Sequence, residues 1–273
     1  MTDLDPRFGG IARLYGDAAL ARLRRAHVCV IGIGGVGSWS AEALARSGVG
    51  ELTVVDLDDV CVTNINRQLH ALEDTVGRPK VEVLAARLRA INPALRVTPV
   101  REFFTAATAE KIFAHRFDYV LDAIDNVGNK SRLIAHCRAQ HIPLITCGAA
   151  GGRRDPTAIR IADLARASHD RLLAQIRKKL RAEHGFPRAP ALFEVTAVFS
   201  PEAPIGPHDP AADPAAEIVC GTDSPATADT DGDTDSLRRN CNTGLGSATF
   251  VTGAFGFAAA SHVVTALARD HAR

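Results

Sequence analysis

The sequence predicts an α/β protein built on a doubly wound, mostly parallel Rossmann-like sheet, with a C-terminal extension of further strands and helices. Three observations predict it. Short β-branched runs alternate with helix-period segments over residues 26–148, the pattern of parallel strands joined by right-handed crossovers. The first run, AHVCVIG, ends in the glycine cluster VIGIGGVG and opens straight into a helical segment. The second, ELTVVD, ends in an acid, Asp56, where such sheets hold a ribose.

In chain order, the strand at 26–32 is followed by a helix over 36–47 and the second strand over 51–56. A helix over 79–91 places Val83, Leu84, Leu88 and Ile91 near helical spacing. RVTPV is a third strand, 105–115 a helix, FDYVLDAID a fourth strand, 130–140 a helix and PLITCG a fifth strand. Ligands of such sheets bind at the carboxyl ends of the strands, so residues following Ile31, Val55 and Leu121 should share one crevice. Residues 1–152 form the nucleotide-binding core with an N-terminal arm, and 153–273 form the C-terminal part of the same domain. In that part, 171–181 sets Leu172, Leu173, Ile176 and Leu180 on one helical face and basic residues on the other. The basic side is either a solvated face or a patch for nucleic-acid phosphates. Residues 201–236 contain no Lys or Arg and are rich in Pro, Ala, Thr and Asp, which predicts a mobile insert.

Composition narrows the class. Hydrophobic residues make up 46% of the 273 and charged ones 23%, ordinary for a globular protein. A net charge of +1 requires any nucleic-acid partner to be met by a local patch. The six cysteines, Cys241 in RRNCNTGLG among them, include no C-x-x-C pair, which points away from a zinc knuckle and from a disulfide framework. The N-terminus has no apolar leader, and the uncharged stretch 250–268 is dominated by Gly, Ala, Ser and Thr. Such a segment is a weak membrane spanner and is read as a buried helix packed in a core or dimer, with no membrane partner and a cytoplasmic location.

The chemistry concentrates in four places. Gly32, Gly34, Gly35 and Gly37 lie between strand and helix, where close backbone approach and free N–H groups favour a phosphate. Asp56 is placed to accept from a ribose hydroxyl; a tight turn without ligand is the alternative. In DLDDVCVTNINRQ, a short helix capped by Thr63 would put Asn64, Arg67 and Gln68 on one face and Val62, Ile65, Leu69 and Leu72 on the other, anchored in the core. VGRPK adds Lys80, and DAIDN adds Asp122, Asp125 and Asn126. Two cations and a carboxylate around a nucleotide point to a triphosphate with magnesium, which a nicotinamide enzyme does not need.

GIGGVG, DLDDVCVTNINRQ, VGRPK and DAIDN, in this order and spacing, resemble the adenylating domain of the ubiquitin-activating-enzyme-like superfamily. The resemblance is specific over residues 7–152 and looser beyond. It implies ATP and Mg2+, a homodimer, and adenylation of a carboxylate. It also implies roles: Asp56 on the ribose, Asp58 and Asn64 lining the nucleotide site, Arg67, Gln68 and Lys80 on the phosphates, Asp125 on the metal. An N-terminal arginine often crosses the dimer in this superfamily; the usual R-Y-x-R-Q reads RFGGI here, leaving Arg7 or Arg13 as substitutes. RFGG, GIGGVGSW, DDVCVTN and FGFAAASH look like the branch that dehydrates threonylcarbamoyladenosine in tRNA. That branch implies tRNA carrying this nucleoside as substrate, needs no enzyme thioester, and is sometimes accompanied by a cysteine desulfurase or sulfur-acceptor partner. Three alternatives stay open: an adenylyltransferase for a sulfur-carrier or ubiquitin-like protein, a nucleotide-binding partner without turnover, and, more distantly, a dehydrogenase.

Overall fold

A computed structural model of the chain describes residues 5–206 and 245–269. Its seven-stranded sheet has the order β3-β2-β1-β4-β5-β7-β6. The strands are β1 (His27–Ile31), β2 (Glu51–Val55), β3 (Arg96–Val100), β4 (Tyr119–Asp122), β5 (Leu144–Cys147), β6 (Arg160–Asp163) and β7 (Thr196–Phe199). All neighbouring pairs are parallel except β6 with β7. β1, β4 and β5 are buried almost throughout, as a sheet covered on both faces requires.

The helices are α1 (Gly9–Tyr15), α2 (Asp17–Leu23), α3 (Gly37–Arg46), α4 (Lys80–Ile91), α5 (Ala109–Ile112), α6 (Val127–Ala139), α7 (Arg171–Glu183) and α8 (Thr249–Ala268). One face carries α3, α4 and α8, whose Leu44, Leu84 and Phe255 meet Val28, Val30 and Leu52. The other carries α6 and α7, with Leu133, Leu173, Ile176 and Leu180 packed on Cys29, Val120 and Ala197. The Leu/Ile face expected over 171–181 is therefore the buried face, with Leu172 only partly buried.

Sequence boundaries shift where local hydrogen bonding overrides periodicity. α6 starts three residues before the expected 130, because the Asn126 side chain accepts from the Asn129 N–H and caps the helix at that point. The expected helix at 105–115 shrinks to α5, since Thr105 and Thr108 bond each other and hold a turn instead. The larger correction concerns DLDDVCVTNINRQ. Thr63 does not cap a helix; Val62–Asn64 is a single 3₁₀ turn, and the Asn64 carboxamide oxygen accepts from the Cys61 N–H. Val62, Ile65 and Leu72 are exposed, and of the expected apolar face only Leu69 packs on the core. Cys61 departs from the cysteine expectation too, because it is disulfide-bonded. Cys241 and most of the expected insert at 201–236 lie outside the described residues.

α8 is the one described helix long and apolar enough to cross a membrane, and half of it is buried inside the protein. Its small residues serve close approach: a Cβ on Gly256 would stand 2.6 Å from the Val36 carbonyl oxygen and 2.9 Å from Trp39 Cβ. Ser40 Oγ also donates to the Gly256 carbonyl at 3.1 Å. Gly256→Ala is therefore expected to push α8 off α3 and lower stability by about 1–3 kcal/mol. A chemical-denaturation curve matching that of the unaltered protein would refute the close contact.

Candidate functional site

The chain leaves β1 toward β2 on one side and reaches β4 on the other, so the strand order reverses between β1 and β4, the place where such sheets bind ligands. Ile31 and Asp122 stand opposite each other at that point. Gly32 has φ +82°, and a Cβ there would lie 2.9 Å from the Ala123 carbonyl oxygen. A Cβ on Gly37 would lie 1.9 Å from the Gly32 oxygen. Only glycine lets the loop turn this tightly into α3. Asp56 fixes the loop: Oδ2 accepts from the Ile33 N–H at 2.9 Å and Oδ1 from the Asp58 N–H at 3.0 Å. Each oxygen keeps acceptor capacity for a ribose hydroxyl. Burial raises the Asp56 carboxyl, and Asp58 adds to this, against Lys80 and the two amides.

The segment after Asn64 lies across this loop. The Arg67 stem comes 3.5 Å from a Cβ placed on Gly35, and Gln68 Nε2 comes 3.8 Å from one on Gly34. Trp39 Nε1 and Thr252 Oγ1 donate to the Arg67 carbonyl at 3.1 and 3.3 Å, which ties the segment to α3 and α8. Arg67 Nη1 donates to the Thr63 carbonyl at 2.6 Å and to Asn66 Oδ1 at 3.0 Å. Gln68 Oε1 is buried without a hydrogen-bond partner. Asn64 and Gln68 are buried and Arg67 is half-buried, so the three share a crevice wall, though Asn64 is spent as a cap.

Lys80 opens α4, is 4% exposed, and pairs with Asp58 at 2.8 Å. Across the crevice, Asp125 is exposed at its mouth. The crevice walls still strip enough water to raise its carboxyl; its own backbone N–H, Lys130 and Lys80 oppose that shift, and Asp58 reinforces it. Beneath it lies a pair that sequence reading missed in part. Lys130 and Asp122 are both fully buried, 3.0 Å apart. Thr146 Oγ1 donates to Asp122 Oδ2 at 2.7 Å, and Lys130 Nζ donates to the Ile124 carbonyl at 2.9 Å. The only sequence signal for Lys130 was its place four residues after Asn126, on the inner side of α6.

The donor set fits a nucleoside triphosphate with a divalent cation. Glycine-loop amides, Lys80 and Arg67 can meet phosphate oxygens, and Asp125 and Asp58 offer hard oxygen ligands. Asn126 stands at the same mouth, its carboxamide oxygen used as the α6 cap. Arg7 and Arg13 are not brought here within one chain. The neighbouring Phe8 packs 3.3 Å from a Cβ placed on Gly48, after the far end of α3, and Arg7 pairs with Asp5 at 2.9 Å. On α7 the basic face is partly committed to packing: Arg181 stacks over Phe193, Lys179 pairs with Glu183, and Arg177 is half-buried. Arg171 and Lys178 remain exposed. A depression of about 840 Å³ at the opposite ends of β4 and β5, lined by Phe113, His115, Phe117 and His136, lies away from all these groups.

The model of the ThiF family matches residues 10–272. The chain is 47% identical over 268 residues to tRNA threonylcarbamoyladenosine dehydratase of Escherichia coli, covering 98% of this chain and 95% of that protein. The crystal structure of the E. coli tRNA N6-threonylcarbamoyladenosine dehydratase in complex with ATP matches with a TM-score of 0.80 at 44% identity, over 96% of this chain and 93% of that one. Molybdopterin-synthase adenylyltransferase of E. coli is 40% identical over 124 residues, 45% of this chain and 49% of that protein.

His70, two residues beyond Gln68, is 1% exposed, and neither ring nitrogen has a partner. Burial, then Lys80, lowers its pKa from 6.5 to about 3. The unfolded chain therefore takes up a proton below pH 6.5 that the folded chain refuses, so stability present above that pH is lost as pH falls toward 3. The loss approaches about 1.4 kcal/mol per pH unit from this group. His70→Phe should flatten the fall in urea midpoint between neutral and mildly acid pH; an unchanged slope would refute the assignment.

Proposed function

The chain belongs to the ThiF family, and from that premise we propose that it uses ATP to dehydrate threonylcarbamoyladenosine in tRNA to its cyclic form. The carrying observation is the placement of Arg67 and Gln68 across the glycine loop, with the Lys80–Asp58 pair beside it. A dinucleotide site has no need of these cations. The substrate carboxylate attacks the α-phosphorus of ATP; the bond to the β-phosphate oxygen breaks and pyrophosphate leaves. The activated carbonyl is then attacked by a nucleophilic atom of the same modification, which expels AMP and closes the ring. The balance is loss of one water from the nucleoside against ATP converted to AMP and pyrophosphate.

Two anions must meet for the first step, and their repulsion is severe where water is excluded. Arg67 and Lys80 offset it, and they stabilise charge developing on pyrophosphate. Lys80 is held ready by Asp58 and exchanges that carboxylate for phosphate oxygens as ATP binds. Asp125, with Asp58 beside it, would hold magnesium, which would supply Lewis-acid neutralisation of the phosphates. Asp56 orients the ribose, and Asn126 lines the same crevice next to Asp125. The exposed Arg171 and Lys178 serve tRNA phosphates.

The enzyme acts in the cytoplasm as a homodimer. Val62, Ile65, Phe250 and Phe257 are exposed, and they belong to elements joined through Asn66, which donates to the Ser247 carbonyl and accepts from Thr249 through its own. Burying this face between two copies would remove apolar area from water. A second copy could then present Arg7 or Arg13, which their own chain keeps at the far end of the sheet. A carboxylate on a sulfur-carrier protein is the second reading, favoured by the shared nucleotide site alone.

The test is to incubate the protein with ATP, magnesium and tRNA bearing the nucleoside, then weigh the digested nucleosides. The mass should fall by one water only when ATP is present. Arg67→Ala, Lys80→Ala and Asp125→Ala should each slow this by about two to three orders of magnitude without unfolding the protein, and Cys241→Ser should be mild. An unchanged nucleoside mass with active protein overturns the tRNA reading, and full activity in any of the three alanine variants overturns that residue's role.

A further inference from the structure

Outside the nucleotide machinery, one buried cation is left under-neutralised. Arg153 follows the glycine-rich loop GAAGG that leaves β5, and its side chain is 1% exposed. Its Nη2 donates to the His169 carbonyl at 3.0 Å, its Nε reaches the Ala149 carbonyl only at 3.5 Å, and Nη1 is buried with no partner. The nearest carboxylate, Asp170, stands 4.0 Å away and is already committed. Asp170 Oδ2 accepts from the Ala149 N–H at 2.9 Å and Oδ1 from the Leu173 N–H at 2.9 Å, where it caps α7. Burial lowers the Arg153 pKa, with Asp170 and Glu202 opposing. A guanidinium nonetheless stays charged at any physiological pH, so the fold holds a buried positive charge with the Nη1 amino group unsatisfied. Each of these is costly.

The place is informative. β5 lies beside β4, so the loop from Gly148 to Gly152 emerges one strand, roughly 5 Å, from the loop that carries Asp125. Its far side meets the segment leading into α8: the Gly152 N–H donates to the Gly246 carbonyl at 2.7 Å, and a Cβ on Gly151 would lie 3.4 Å from Leu245 Cβ. That same segment bonds Asn66 through Ser247 and Thr249. The wall bearing Arg153 is thus continuous with the wall bearing Arg67, yet Arg153 is on neither the glycine loop nor the phosphate side. Its glycines serve close approach: a Cβ on Gly148 would stand 2.1 Å from Asp170 Oδ2, and one on Gly152 3.0 Å from the Ile205 carbonyl oxygen.

We propose that Arg153 receives the carboxylate of the substrate, resting on the reading that the substrate carries one: the fork takes both carboxylate oxygens while the glycine loop, Arg67 and Lys80 take the phosphates. A planar bidentate donor suits a carboxylate and orients it, which a lysine cannot do. The residue thereby sets specificity for an acid over its amide.

The experiment measures binding of tRNA anticodon stem-loops bearing threonylcarbamoyladenosine, or the same nucleoside with its carboxylate converted to a carboxamide, in the presence of a non-hydrolysable ATP analogue. The unaltered protein should prefer the acid. Arg153→Gln should weaken acid binding by about thirty-fold or more, leave carboxamide binding nearly unchanged, and leave ATP affinity intact. Arg153→Lys keeps the charge and the fold and should lose most of the preference. Equal weakening of both stem-loops, a fall in ATP affinity alone, or full preference retained in Arg153→Lys would overturn the assignment. Loss of water from the nucleoside by the unaltered protein tests the underlying function separately, so the two failures are distinguishable.

Discussion

The ion pair between Lys130 and Asp122 is the interaction on which the crevice depends. It joins three elements where no water can substitute: Asp122 ends β4, Lys130 rises from α6, and Thr146 completes the carboxylate from β5. Burial raises the Asp122 carboxyl, and Lys130, then Thr146, pulls it back. A buried pair of this kind contributes little net stability compared with apolar residues, but removing one partner costs about 3–5 kcal/mol. Its value lies in position. Lys130 also donates to the Ile124 carbonyl, so the loop that presents Asp125 is fixed from below by the same ammonium group whose field acts on Asp125.

The other half of the crevice depends on close backbone approach. Gly32 turns against Ala123, Gly37 against Gly32, and Gly256 of α8 against Val36, which precedes α3, and Trp39 within it. Each contact leaves no room for a Cβ. Their combined effect is to bring α3 and α8 close enough for Trp39 and Thr252 both to hold the Arg67 carbonyl. The apolar, small-residue helix near the C-terminus, which looks membrane-like by composition, is thus part of how Arg67 is positioned over the glycine loop.

Much of this was legible in the sequence because strands, crossovers and glycine turns obey local rules. β1 to β5, α3 and α4 follow from periodicity and from VIGIGGVG; Asp56 and Asp125 follow strand ends that the topology brings together, and Lys80 opens α4 beside them. What was not legible depended on tertiary context. Val62, Ile65 and Leu72 have an apolar pattern that periodicity assigns to the core, but Asn64 spends its side chain on the Cys61 amide and ends the helix before that face forms. Lys130 and Arg153 carry no motif signal of their own. A lysine on a helix and an arginine after a glycine loop read as surface residues until burial shows that they are not.

The charges then form a graded series across one crevice. Lys80 is buried and matched by Asp58 at 2.8 Å, Lys130 is buried and matched by Asp122 at 3.0 Å, and Arg153 is buried and paired only loosely, with Asp170 at 4.0 Å. The pair at Lys130 is sealed and has no reason to change. Asp58 is partly exposed, so water or a phosphate can replace it at low cost, which makes Lys80 available without leaving it uncompensated in the empty site. Asp170, the partner of Arg153, is buried and accepts from two backbone amides, so it cannot be displaced in that way. In an enzyme that must bring two anions together, the first cation can be borrowed from an internal pair, and a second held by a loose 4.0 Å pair with an unsatisfied amino group gains most from a closer anion.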